Sequence, residues 1–277
     1  MNSHSTWTRR FGVLAAFPLA LAMASTAGAQ SPDASMHPME SMAPMGSMPA
    51  WAVTISGLAD GTVITDNQVT IGVAPTGYTF SCAEAGKPLV EGVGHYHTIL
   101  DGALIDMECT PTTTISLQNV APGKHTIIAV PAMNDHEEIQ AGAAMVSFDY
   151  EPTSPLPEIV AAPPAKTPTI AIVSPAAGTE VSGDFTVQVA VTDFTFADSL
   201  FGKPNLDGYG HWHLNVDSTS GPMMGMTTML GMSGTDTFQA STEGLAPGPH
   251  TFYAIVVGNQ HAPLMDVAIA QVDLVVK

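Results

Sequence analysis

Basic side chains are scarce in this sequence: 7 Lys and Arg stand against 25 Asp and Glu, a formal charge of −18 over 277 residues. A surface of that sign repels polyanions. Nucleic acid and anionic membrane faces are therefore excluded as main partners, and cations are favoured. Lys and Arg are also too few for a phosphate or nucleotide site, and no glycine-rich phosphate loop, Gly-x-Ser-x-Gly elbow or zinc-protease helix is present. Charged residues of both signs make up only 12% of the chain, which argues against charge-driven disorder. Cysteine is confined to Cys82 and Cys109. Neither sits in the Cys–His–Met spacing that a blue-copper centre needs. Beyond residue 29 no run is long and apolar enough for a bilayer span of ~20 residues, so no integral membrane segment is expected in the mature chain.

The one early apolar run, Phe11 to Met23, follows Arg9 and Arg10 and precedes Ala27-Gly28-Ala29. That order predicts an export signal over residues 1–29, with the mature chain starting at Gln30. No Cys follows the run, which argues against a lipid anchor. The protein is then expected to be periplasmic or secreted, where thiols oxidise. A Cys82–Cys109 disulfide is the first expectation, and a pair of thiolate metal ligands is the alternative.

The remainder contains a duplication. Gly86-Lys87-Pro88 matches Gly202-Lys203-Pro204, and Gly94, His95, His97 and Asp101 match Gly210, His211, His213 and Asp217 at one constant offset. Ala121-Pro122-Gly123, His125 and His136 match Ala246-Pro247-Gly248, His250 and His261 at a second, longer offset. The second copy therefore carries an insertion, placed in or near Gly221 to Met232. The expected organisation is a flexible Met- and Pro-rich segment over 30–50, repeat 1 over 51–150, a Pro-rich extended linker over 151–167 and repeat 2 over 168–277.

Short alternating runs such as Val69–Val73 and Phe185–Val191, separated by Gly, Pro, Asn and Asp clusters, predict strands, and no mature segment shows helical periodicity. The fold class is thus all-β: two tandem immunoglobulin-like or cupredoxin-like β-sandwiches.

Eight of the ten histidines fall in register between the copies. In repeat 1, His95 and His97 lie two apart on a strand, so their rings share a face, with Tyr96 turned to the core; Trp212 is its counterpart. His125 opens a later strand and His136 lies in the loop that follows it. The expected metal ligands are His95, His97, His125 and His136 in repeat 1, and His211, His213, His250 and His261 in repeat 2. Imidazole suits copper and zinc. Packing histidines bonded to loop backbone are the alternative. Glu137-Glu138 is expected to be a solvated loop.

Gly94-His-Tyr-His97, Pro122-Gly-Lys-His125 and Asn134-Asp-His136, with their counterparts in repeat 2, resemble an uncharacterised family of exported bacterial β domains. The resemblance covers both repeats and implies a small periplasmic β domain with no known activity.

Met36, Met39, Met42, Met45 and Met48 recur every third residue among Pro38, Pro44 and Pro49. Three per turn is the polyproline II period, which aligns the thioethers along one edge. Thioethers select Cu(I), and this segment resembles the Met-rich segments of periplasmic copper-handling proteins. The sequence thus points to a non-enzymatic exported protein that binds, stores or delivers copper, with zinc as a second metal and another periplasmic metal-handling protein as partner. A tandem immunoglobulin-like adhesion module and a small metalloenzyme are the alternatives.

Overall fold

A computed structural model describes residues 50–264 and 269–277; the Met36–Met48 segment lies outside the described residues. Repeat 1 contains strands β1 (Ala52–Ser56), β2 (Thr62–Ile64), β3 (Gln68–Thr76), β4 (Thr79–Phe80), β5 (Val93–Leu100), β6 (Ala103–Glu108), β7 (Thr112–Ser116), β8 (Gly123–Met133) and β9 (Ala144–Tyr150). Repeat 2 follows with β10 (Thr169–Ser174), β11 (Glu180–Val181), β12 (Asp184–Thr192), β13 (Thr195–Phe196), β14 (Tyr209–Val216), β15 (Met229–Ser233), β16 (Thr237–Ser241), β17 (Gly248–Gly258) and β18 (Ile269–Val276). Among the described residues the only helical turns are four short 3₁₀ segments.

Strands pair within their own repeat. A three-stranded sheet β1-β3-β7 faces a larger sheet β2-β9-β8-β5-β4, with β6 also on β5. In repeat 2 the order is β10-β12-β16 facing β11-β18-β17-β14-β13, with β15 on β14. The chain is thus all-β and forms two immunoglobulin-like sandwiches in tandem. Strict alternation creates the core. Along β3, Val69, Ile71 and Val73 are buried while Gln68, Thr70 and Ala74 are exposed. Val187 and Val189 do the same on β12. Tyr96 and Trp212 fill the centres of the two cores, their polar ends donating to the Thr110 and Thr235 carbonyls at 3.0 and 2.7 Å.

The two sandwiches form one compact unit over Ser47–Lys277. The outer face of β5, wet in a lone sandwich, lies against repeat 2. Lys87, 5% exposed, reaches across to donate to the Ser241 carbonyl at 2.8 Å and also to that of Glu243. A Cβ on Gly86 would stand 2.4 Å from the Met229 carbonyl oxygen, and one on Gly202 would stand 2.4 Å from that of Leu104. Both glycines have positive φ, so they satisfy a turn and a close approach together. The linker is extended, as its prolines require. Gln118 and Asn119 donate to the Pro157 and Ile159 carbonyls, and Ala162 N–H bonds Asp207 O.

The insertion sits slightly upstream of its expected place. Repeat 1 joins β5 to β6 through Asp101-Gly102, whereas repeat 2 joins β14 to β15 through 217–228 with two 3₁₀ turns. Asn215 donates to Gly225 O and Thr228 to Ser218 O, which ties this loop to itself and to β14. Met229 and Met232 therefore belong to strand β15, not to the inserted loop.

Cys82 and Cys109 are disulfide-bonded, pinning the loop after β4 to the end of β6. The corresponding positions of repeat 2 hold Asp198 and Gly234, packed so closely that a Cβ on Gly234 would meet Asp198. Closing a loop with a sequence separation of 27 should stabilise by about 3 kcal/mol. We expect Cys82→Ala with Cys109→Ala to lower the urea midpoint accordingly; an unchanged midpoint would show the bridge to be dispensable.

Candidate metal centres

Strand geometry builds the first site. Period two puts the rings of His95 and His97 on the face of β5 opposite Tyr96. His136 comes from the turn after β8, where its backbone takes φ 67°, and its counterpart His261 takes φ 60°. Non-glycine residues avoid that region at a cost of order 1–3 kcal/mol and occupy it where the surroundings hold them, often at functional sites. The turn aims His136 back at β5. His95 Nε2 lies 3.1 Å from His97 Nε2 and 3.0 Å from His136 Nδ1. The second site repeats this: His211 Nε2 is 3.1 Å from His213 Nε2 and 2.9 Å from His261 Nδ1. All six rings are buried, none more than 5% exposed.

The outer hydrogen bonds decide which nitrogens carry protons. His136 Nε2–H donates to the Met229 carbonyl at 2.7 Å, and His261 Nε2–H donates to the Leu104 carbonyl at 2.9 Å. Each acceptor belongs to the other repeat. His97 Nδ1–H donates to Glu138 Oε1 at 2.7 Å. The inward nitrogens of His97 and His136 are therefore lone pairs, and both face His95 Nε2. One proton on that atom could bond only one of them. With the proton on His95 Nδ1, which is buried without a partner, three lone pairs converge in repeat 1. A tetrahedral ion with bonds of ~2.0–2.1 Å spreads its nitrogens by ~3.3 Å, so the two separations from His95 Nε2 need open by only about 0.3 Å. Outer partners that fix ligand tautomers are the usual companions of imidazole-held metals.

Electrostatics disfavour a proton on His95, His136, His211, His213 and His261. Burial, then His136 and His97, push His95 well below the ordinary histidine value. Burial and His97 bring His136 down to about 4. His211 and His213 are lowered well below the ordinary value and His261 is lowered, in each case chiefly by burial. The hydrogen bond from His97 holds the Glu138 carboxyl below its usual value. At neutral pH these five imidazoles offer lone pairs.

Two of the sequence expectations need correction. His125 and His250 do not join the clusters. They lie at the opposite ends of β8 and β17 from the turns that carry His136 and His261, roughly 25 Å away by strand rise. His125 bonds Asp101 Oδ2 at 2.6 Å and Ala121 O at 2.8 Å, and His250 bonds Asp217 and Ala246 at the same distances. Burial opposes the charge on His250, yet the Ala246 carbonyl and Asp217 outweigh it and raise its pKa. These two rings brace the Pro-Gly turns. We expect His125→Gln with His250→Gln to leave metal stoichiometry unchanged while costing about 1–2 kcal/mol of stability per site; loss of a metal equivalent would return them to the ligand set. The second correction concerns Glu138, which is a partner of His97 rather than a free loop carboxylate. The chain folds back through an Ala132–Glu138 bridge to place it.

The sites differ in their surroundings. Repeat 2 has Pro263 where repeat 1 has Glu138, so the carboxylate that meets His97 has no counterpart at that position. It also has Phe201 in place of Ala85, its ring centroid 4.4 Å from that of His211.

No known sequence family matches this chain, and no curated protein matches it. Several solved structures are similar, at low scores. The fibronectin(III)-like modules of Clostridium thermocellum CbhA align at 14% identity and a TM-score of 0.26, over 81% of this chain and 94% of that one. A Dscam structure aligns at 11% identity and 0.21, covering 82% and 46%. The tetra-tandem repeat in the extending region of a large adhesion protein aligns at 11% and 0.23, covering 82% and 49%. This chain thus spans about half of the latter two. At these scores no activity passes from them to it.

Proposed function

We propose that this is an exported, non-enzymatic protein that binds two transition-metal ions, one in each triad, with copper the first candidate and zinc the second. The observation that carries the reading is the pair of buried triads whose inward lone pairs are fixed by bonds to Met229 O, Leu104 O and Glu138. Copper is favoured because imidazole sites follow the Irving–Williams order and because Met36, Met39, Met42, Met45 and Met48 would supply a soft Cu(I) capture segment. Storage or delivery to another metal-handling protein would be its role. The disulfide supports an oxidising compartment, and no helix among the described residues is long and apolar enough to cross a membrane.

A titration of the full chain with Cu(II) or Zn(II), followed by metal analysis, should give two tightly held equivalents, setting aside Cu(I) on the tail. One specific observation favours a second reading, a cell-surface or adhesion module with structural histidines: tandem sandwiches with a bonded linker make a stiff spacer. That reading expects no tightly held metal, and finding none would replace the first reading by the second.

A further inference from the structure

The two triads have chemically different mouths. Cys82–Lys87 of repeat 1 and β15–β16 of repeat 2 enclose a cleft of ≈ 410 Å³ that reaches His95. Its pseudo-symmetric mate, ≈ 210 Å³, is lined by the equivalent stretches with repeats exchanged. Corresponding positions can be compared directly. The larger cleft has Cys82 and Gly231, whereas its mate has Asp198 and Asp106. The larger cleft has Met232, Met107 and a histidine in its wall, while its mate has Glu108, Phe201 and no histidine. The larger cleft holds the sulfur of Met107, Met232 and the disulfide together with one carboxylate, Asp184, and the Lys87 ammonium, which is engaged by three main-chain carbonyls; its mate has three carboxylates and no sulfur.

The thioethers come from positions tied to the triads. Met107 is the cross-strand partner of His97 in the β5–β6 register, and Met232 is the partner of His213 in β14–β15. Directly paired residues present side chains on the same sheet face, with Cβ atoms ~4.5–5.5 Å apart. Met107 therefore stands on the face that carries His95 and His97. Met232 comes from the other repeat and also packs against the core of repeat 1. Both residues are half-buried. His95 is 1% exposed, and its outer nitrogen Nδ1 has no hydrogen-bond partner, unlike those of His97 and His136. In the tautomer that leaves His95 Nε2 to the triad this atom is an N–H, so the soft donors at the cleft are the two thioethers.

We propose that this cleft is a binding site for a soft monovalent cation, Cu(I), held by the thioethers of Met107 and Met232 beside His95. Thioethers discriminate strongly for Cu(I) over Zn(II). The acidic mate lacks soft donors, and Phe201 packs on His211 behind it. The cleft site does not rest on the reading of the triads as metal centres.

The test uses the full chain with Met36, Met39, Met42, Met45 and Met48 changed to Leu, so that the tail does not compete. Ag(I) serves as the redox-inert probe for Cu(I). The methyl signals of Met107 and Met232 are followed in methyl-labelled protein, and Zn(II) is titrated separately. We expect one equivalent of Ag(I) to move both signals. Met107→Leu with Met232→Leu, close in volume, should weaken Ag(I) binding roughly tenfold or more and leave Zn(II) binding unchanged. Ag(I) that moves neither signal, or binds the Leu pair as tightly, overturns the proposal. If two Zn(II) still bind in that case, the triad reading stands without it. If Ag(I) binds as expected but Zn(II) does not, the triads fail and the cleft site stands. A thermal melt of the Leu pair that matches the parent shows that lost binding is not lost folding.

Discussion

His95→Ala should remove one metal equivalent and leave the other, His211→Ala should remove the opposite one, and the double variant should bind none tightly. Each substitution deletes the nitrogen that the other two rings of its triad face. Loss of an outer partner alone typically costs 10–100-fold in affinity, so loss of a direct ligand should exceed that. Glu138→Gln offers a graded control. It keeps the shape beside His97 but removes the charge that orients the ring, so repeat 1 should weaken by about 10–100-fold while repeat 2, which has Pro263 there, should not change. Competition titrations with a chromophoric chelator read all four variants. Two equivalents retained by the double variant would remove the triads from the metal account. The alanine variants should fold, because His95 and His211 each leave Nδ1 unpartnered in the native state, and deleting such a group forfeits no bond at that atom.

The metal-free protein should lose stability as pH falls from about 6.5 to about 4. In the unfolded chain each histidine takes a proton near 6.5. In the folded chain five of the triad rings disfavour it, and His136 does so down to about 4. Over that window the unfolded state binds more protons, so stability rises with pH and is lost on acidification. His136 alone contributes about 3 kcal/mol to that loss, and His95, His211, His213 and His261 act in the same direction. Asp106 opposes them: burial, Glu108 and Asp198 hold its carboxyl up to about 8, so the folded state gains relative stability as that group protonates. Glu108 is raised by burial and adds to the opposition. Five rings outweigh two carboxyls, and an Asp106→Asn background removes the larger opposing group. Urea midpoints at pH 7.5, 6.0 and 5.0 should fall steadily in that background. A flat profile would mean that the rings already carry protons in the native state. Bound metal should resist the fall at first and then leave over the same window, because protons compete for the lone pairs.

Period-two alternation sufficed to expose the strands, the sandwich class and the inward turn of Tyr96 and Trp212, because burial on one face writes itself into side-chain type. The duplication exposed His95, His97 and His136 together with their counterparts. It could not separate them from His125 and His250, since a copied chain keeps a turn brace as faithfully as a ligand. Glu138 was hidden for a different reason: its contact with His97 depends on a chain reversal after Met133, and two adjacent acids look like an ordinary polar loop. The partners of His136 and His261 had no signature at all, being main-chain carbonyls, and the cleft that joins Met107 to Met232 exists only once the repeats dock.

The carbonyls exchanged between the halves have a historical consequence. Repeat 1 lends Leu104 O to His261, and repeat 2 lends Met229 O to His136. Such reciprocity is the signature of an isologous contact, in which one surface pairs with its own copy. A forebear with one sandwich could have completed its triad by homodimerising, and fusion of two genes would then have freed the halves to diverge, one gaining a sulfur-bearing cleft and the other a carboxylate-lined one.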